Sequence, residues 1–275
     1  MGDFSSETIS HIDREFIHGL IKKGERLDGR EFGEYREVTI EAGVVPAKAE
    51  GSALVRLGDT SVVAGVKVLV GEPYADSPNK GVMMVTAELS PIASPLFELG
   101  PPKEGAIELA RVVDRGVRES GTVDVEALCI EEGKKVFMVF ADVYPLEYDG
   151  NLIDASSIAV NAALMTTKYS EMKMEDGKAV ATGKMLKLPI KNIAIEHTVS
   201  KLGDSLVIDP NLREEFVQDC RLTMAVDQKE NFTALQKGGG SGPMSLDLVD
   251  QAMGMALDSS KTIKAIIDEA VKDVE

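Results

Sequence analysis

Residues 154–169 read DASSIAVNAALMTTKY. Wound as an α-helix, Ala155, Ile158, Ala159, Val160, Ala162, Ala163 and Leu164 leave hardly any polar face. A helix that is apolar nearly all round is buried on most sides. What surrounds it in the sequence is mostly strand. Upstream, alternating apolar runs predict strands at 123–130 and 135–144, joined by a Glu132-Gly133 turn. Further upstream, strands are expected at 38–41, 52–57, 61–69 and 82–89, with Gly58-Asp59 as a hairpin turn. Downstream, residues 171–184 are largely polar and read as a loop between two halves. Strands follow at 190–196, 205–208, 221–226 and 232–236, then a helix capped by Ser245 and reaching about Val274. Hairpins mixed with a few long helices, in the order strands then helix, twice, predict an α+β layered fold.

Residues 104–120, led in by Pro101-Pro102, form a different kind of helix. Ala106, Leu109, Ala110, Val113 and Val117 fall on one side. Arg111, Arg115 and Arg118 fall together on the other. Guanidiniums match phosphate oxygens in pairs, so this row has the chemistry to hold a nucleic-acid backbone. It also has the spacing of a merely solvated face, with Glu108, Asp114 and Glu119 placed to pair with it. The first helix carries Ile9, Ile12, Phe16 and Leu20 as a single stripe, with Ser5 or Ser6 as its cap and Gly24 at its end. It is expected on the outside of the body.

A formal net charge of −16 and a pI near 4.7 argue against a general DNA-coating protein, though not against a local basic groove. Cys129 and Cys220 have neither metal-ligand spacing nor a disulfide framework, and read as small apolar groups in a reducing compartment. The polar, acidic start is no signal peptide, and no apolar run is long enough to span a membrane, so a cytoplasmic protein is expected. The glycine run at 238–242 lacks P-loop and dinucleotide spacing, and reads as a turn that lets strand and helix pack closely. His11, His18 and His197 read as solvated. Acids cluster at Asp142, Asp149 and Asp154, and at Asp209, Glu214, Glu215 and Asp219, but composition alone names no catalytic set.

Three longer motifs resemble one family. Arg26-Leu27-Asp28-Gly29-Arg30 followed by Tyr35-Arg36 is similar to the opening of the RNase PH family of phosphorolytic ribonucleases. Leu109 to Arg118, and Asp142 to Leu146 with Tyr148 to Ala155, resemble one branch: the non-catalytic RNase PH-like subunit of the archaeal exosome ring. The resemblance implies two similar β-α halves packed as one compact unit, of the ribosomal protein S5 domain 2-like kind. Residues 1–275 would form that unit, with halves at 35–170 and 185–258. It also implies a hexameric ring of three heterodimers with a catalytic relative, RNA-binding cap subunits, and threaded single-stranded RNA. Arg111, Arg115 and Arg118 would then grip that RNA beside the partner's active site. No cofactor, metal or membrane is implied.

The departures matter as much as the agreements. Active members carry Gly-Thr-Arg to bind the attacking phosphate, where this chain reads Asn151-Leu152-Ile153. Their two acids, six positions apart, match Glu215 and Arg221. A guanidinium is a poor general acid and holds no metal. The resemblance thus implies a subunit that is catalytically silent by itself. An independently active phosphorolytic ribonuclease and a purely structural ring spacer are the alternatives.

Overall fold

The computed structural model describes residues 11–175, 177–272 and 274. In chain order the elements are α1 (His11–Ile21), β1 (Val38–Ala42), β2 (Gly51–Leu57), β3 (Thr60–Gly71), β4 (Val82–Ala87), α2 (Glu104–Glu119), β5 (Cys129–Glu131), β6 (Lys135–Glu147), α3 (Leu152–Met165), β7 (Lys168–Glu175), β8 (Lys178–Lys187), β9 (Ala194–Leu202), β10 (Ser205–Ile208), α4 (Leu212–Val217), β11 (Cys220–Asp227), β12 (Phe232–Gly238) and α5 (Leu246–Lys272).

The first sheet runs β1-β2-β3-β6-β4, with β5 on the end of β6. It is antiparallel except where β4 lies parallel to β6. Gly58-Asp59 makes the β2–β3 hairpin as the sequence predicts, and the pairing there is Leu57 with Thr60. The second sheet runs β10-β9-β11-β12, wholly antiparallel. Residues Leu152 to Leu164 of α3 are all buried, packed against both sheets and against α2 and α5. The all-round apolar helix is therefore the centre of the α+β layering. α5 covers the second sheet through Ala252 and Ala256, while its Ile263 and Ile267 join the core formed by the first sheet and α3.

Several expectations need correction. Residues 171–184 are not a loop but part of the β7–β8 hairpin. Its side chains are mostly exposed and polar on both faces, so no hydrophobic alternation marks it. Of the strand expected at 123–130, only Val123, bridged to Ile190, and β5 are extended. Asp124 accepts the Glu126 and Ala127 N–H groups and folds the chain into a turn between them. β9 starts at Ala194, after Asn192 has accepted the Ile193 N–H. The structure adds a short helix, α4, opened by a capping box of Asn211 and Glu214. On α1 the buried residues are Ile17 and Ile21, while Ile12 and Phe16 are 78% and 50% exposed. Ser5, Ser6 and Ile9 lie outside the described residues.

Candidate nucleic-acid interface

Helix α2 begins at Glu104, an acid where the helix dipole favours one. Ala106, Leu109, Val113 and Val117 are buried as expected, and Val112 and Gly116 join them. Gly116 has a specific reason to be glycine. A Cβ there would lie 1.8 Å from Glu196 Oε1 of β9. The helix can thus settle directly onto a buried carboxyl.

The three arginines divide between two grooves that meet at Arg111. Arg111 is exposed and has no ion pair or hydrogen bond among the described residues. Arg115 is half-buried, and its Nη1 donates to Gln236 Oε1 of β12 at 3.3 Å. Arg118 pairs with Asp114 at 3.2 Å and reaches Glu119 at 3.9 Å. Arg111 and Arg115 line a groove of about 600 Å³ between α2 and the β11–β12 edge, whereas Arg118 lines a different groove on the other flank. Glu108 pairs with Arg221 rather than with an arginine of its own helix.

The first groove is rich in cations for an acidic chain. Arg111, Arg115, Arg221 and Lys237 line it, against Glu104, Glu108 and the buried Glu196. Arg221 is 3% exposed; its Nη2 donates to Glu108 Oε1 at 2.9 Å, and its Nε has no partner among the described residues. The glycine run serves this packing. A Cβ on Gly238 would come 3.0 Å from Glu108 Oε1, and one on Gly239 would come 2.8 Å from Gln218 Nε2 and 3.0 Å from Arg221. Beneath the groove, burial pushes the Glu196 carboxyl up to about 8, so it is mainly neutral at pH 7. Ser157 Oγ donates to its Oε2, while Oε1 has no partner among the described residues. Sequence reading missed Glu196 and Lys237, which come from separate strands of the second sheet and carry no local signal.

Residues 151–153, where the resemblance implies that active members bind phosphate, are engaged internally. Asn151 sits in the left-handed region at φ 54° and caps α3. Its side-chain amide donates to Asp154 Oδ2 at 2.9 Å and Asp209 Oδ1 at 2.8 Å. Its backbone N–H donates to Glu215 Oε2 at 3.3 Å, and the Tyr148 hydroxyl donates to the same oxygen at 2.9 Å. A helix N-terminus favours an anion. Here an internal carboxylate takes that position, and Leu152 and Ile153 are buried apolar groups.

The arginines of the opening motif are structural. Arg26 forms a two-pronged pair with Glu214, at 2.9 and 2.6 Å, in full burial. Arg30 and Arg36 both bind Asp209, at 3.0 and 2.7 Å. Most of the acidic cluster at 209–219 is thereby committed, with Asp219 beside Lys201. The solvated reading of His197 is wrong: it is wholly buried in β9, and burial pushes its imidazole down to about 3. The Tyr35 hydroxyl donates to Asp154 Oδ2 at 2.7 Å, so His197 Nδ1–H donates to the Tyr35 oxygen at 3.0 Å. Cys220 is buried and Cys129 partly so, both as free thiols. Among the described residues no His, Cys, Asp or Glu group has metal-site geometry, and no helix is long and apolar enough to cross a membrane.

The sequence profile of the 3′ exoribonuclease family, domain 1, matches residues 34–170, and that of domain 2 matches residues 192–259. The chain is 48% identical over 267 residues to the exosome complex component Rrp42 of Thermococcus gammatolerans, covering 96% of this chain and 97% of that protein. A chain of a solved structure described as the Archaeoglobus fulgidus exosome with RNA bound to the active site superposes with a TM-score of 0.85 at 44% identity, covering 92% of this chain and 97% of that one. A chain of an archaeal exosome core superposes with a TM-score of 0.82 at 40% identity, covering 94% and 96%. Matched by both domain profiles in order, and by relatives along nearly its whole length, the chain belongs to the 3′ exoribonuclease family typified by RNase PH.

Proposed function

We propose that this chain is the catalytically silent subunit of an archaeal-type exosome core. It pairs with a catalytic RNase PH-like subunit in a hexameric ring of three heterodimers, under RNA-binding cap subunits, in the cytoplasm. The partner degrades single-stranded RNA 3′ to 5′ by phosphorolysis, and Arg111, Arg115 and Arg118 hold the strand by its phosphates. The two family halves, 35–170 and 185–258, act as one unit that presents α2 to the RNA.

The observation that carries this reading is the contrast within a single groove. Arg221 stands where an active member has its second acid, buried and paired with Glu108. Beside it, Arg111 remains exposed and unpaired among the described residues. Chemistry is disabled while the means of holding phosphate is kept. Leu152 and Ile153, at the start of α3, are buried and offer no side-chain donor to an attacking phosphate. A chain whose outer surface is acidic repels stray RNA, while its arginine row attracts a strand already threaded. The relatives' name and the RNA-bound neighbour supply the assembly and substrate of the proposal.

The test is reconstitution. The chain alone, given RNA, phosphate and Mg²⁺, should release no nucleoside diphosphate. Mixed with a catalytic RNase PH-like subunit at micromolar concentration, it should form one closed ring that does. Steady release by the chain alone, or two species that never associate, overturns the proposal.

A further inference from the structure

The second groove, about 400 Å³, lies on the opposite flank of α2 from the first. Tyr74, Lys80, Met84, Arg111, Asp114 and Arg118 line it. Arg111 lines both grooves, so it stands on the ridge between them. We propose that this second groove is a nucleotide subsite, in which the ring of Tyr74 stacks a base of single-stranded RNA while Arg111 and Arg118 meet the adjoining phosphates. The proposal rests on the RNA-holding role of α2 and extends it to a residue outside that helix.

Tyr74 is 57% exposed, in a chain with only five tyrosines and no tryptophan. An exposed aromatic is ordinarily free to move, but this one stands on an anchored loop. Ser77 N–H donates to Tyr74 O and Lys80 N–H to Ser77 O, both at 3.1 Å, making two successive turns. Gly133 N–H donates to Pro78 O at 2.8 Å, and Gly81 N–H to Val125 O at 2.7 Å, pinning the loop to its neighbours. Gly81 is required there, since a Cβ would meet Leu128 at 2.5 Å and Phe137 O at 2.7 Å. The loop backbone is thus fixed, so that binding has only the Tyr74 side-chain torsions to order, a small cost for a stacking platform.

Charge favours the same occupant. Lys80, Arg111 and Arg118 face the groove against the single carboxylate Asp114. Asp114 Oδ1 also accepts the Val85 N–H on the open edge of β4, at 3.3 Å. That contact obstructs a peptide strand from adding to the edge there. Among the described residues Arg111 has no ion pair, while Lys80 pairs with Glu126 at 3.7 Å and Arg118 with Asp114 at 3.2 Å, solvent-facing pairs that a phosphate can displace. Aromatic stacking with cations alongside is how single strands are held without sequence readout.

The experiment uses the full chain, in its reconstituted ring, with a single-stranded oligoribonucleotide carrying 2-aminopurine at successive positions. At one position, binding should quench the fluorophore through stacking on Tyr74. Tyr74→Ala should abolish that quench and weaken RNA binding about 5- to 150-fold, the range for losing one stacked base. Tyr74→Phe should keep both, because the π face is kept. Removing the base at the quenched position should make the RNA indifferent to Tyr74→Ala. Tyr74 is exposed, so the melting temperature should not move. If Tyr74→Ala changes neither quench nor affinity while Arg111→Glu with Arg115→Glu abolishes binding, the subsite is wrong and the RNA-holding role stands. If the arginine changes are also without effect, both readings fall. If the ring assembles only with Tyr74 covered by protein, the groove is a protein interface and the subsite is again wrong.

Discussion

Replacing Gly116 by Ala tests whether α2, and the arginines on it, are seated on Glu196. The new Cβ would stand 1.8 Å from Glu196 Oε1, 2.6 Å from its Cδ and 3.1 Å from Oε2. A carbon–oxygen contact needs roughly 3.3 Å, so carboxyl or helix must give way by about 1.5 Å. If the carboxyl retreats, it leaves the Ser157 hydroxyl, at about 1 kcal/mol. If the helix lifts, the Arg115–Gln236 contact opens and the core beneath is strained, at about 1–3 kcal/mol. Ala gains about 1 kcal/mol over Gly in a helix interior, which offsets part of this. The net expectation is a destabilisation on the order of 1–3 kcal/mol, read from urea midpoints at pH 7. A double-mutant cycle isolates the contact. With Glu196→Ala in place the obstacle is gone, so Gly116→Ala should become neutral or stabilising by up to about 1 kcal/mol. An equal cost in both backgrounds, or none in the native one, refutes the seating.

Glu196→Gln should change the pH dependence of stability. The folded carboxyl is raised from 4.5 to about 8, so its stabilisation is whole below pH 4.5 and is lost as pH rises towards 8. The Gln variant escapes that loss and should gain on the native chain steadily between those values; parallel stability curves would show that Glu196 titrates normally. Asp209→Asn keeps the shape and tolerates the local φ of 47°, but removes the charge facing Arg30 and Arg36. It should cost about 3–5 kcal/mol in a denaturant titration, as breaking a buried ion pair does; a cost under about 1 kcal/mol would mean the guanidiniums find other partners. Arg221→Asp alone should leave the isolated chain inert in a phosphorolysis assay, because Leu152 and Ile153 still offer no side-chain donor to an attacking phosphate. A clear gain of nucleoside diphosphate would show that phosphate binds there without one.

What was legible in the sequence was what depends on local periodicity. Helix α2 has the Pro101-Pro102 lead and an uninterrupted apolar face, and α3 is apolar on every side. The β2–β3 hairpin follows from Gly58-Asp59. The β7–β8 hairpin was hidden because neither face is buried, so period-two alternation never develops. On α1 the pattern was present but misleading, since Ile12 and Phe16 stay exposed while Ile17 and Ile21 are covered. Sites built from distant pairs left no trace in the spacing. Arg26 meets Glu214 across 188 positions and Tyr35 meets His197 across 162. The familiar opening motif therefore marked the family correctly while concealing that its arginines are clamps. The three arginines of α2 were legible as a row, but the two grooves they divide depend on β12 and on the loop bearing Tyr74.

The proposed grip of the arginine row on RNA is open to test in the assembled ring. RNA affinity of the reconstituted ring is measured at several salt concentrations, with ring size checked in parallel. Arg111, Arg115 and Arg118 are all replaced by Glu; Arg14, Arg56 and Arg213 serve as exposed controls. Arg36 cannot serve, because it is buried against Asp209. Each lost phosphate contact should lower the single-strand salt slope by about 0.7, so the triple change should lower it by about 2. Affinity should fall far more than in the control ring, and to the same degree for every base sequence. The helix should persist, since its apolar face is untouched and Glu is a good helix former. An intact ring with unchanged affinity and unchanged slope would leave the row a solvated face.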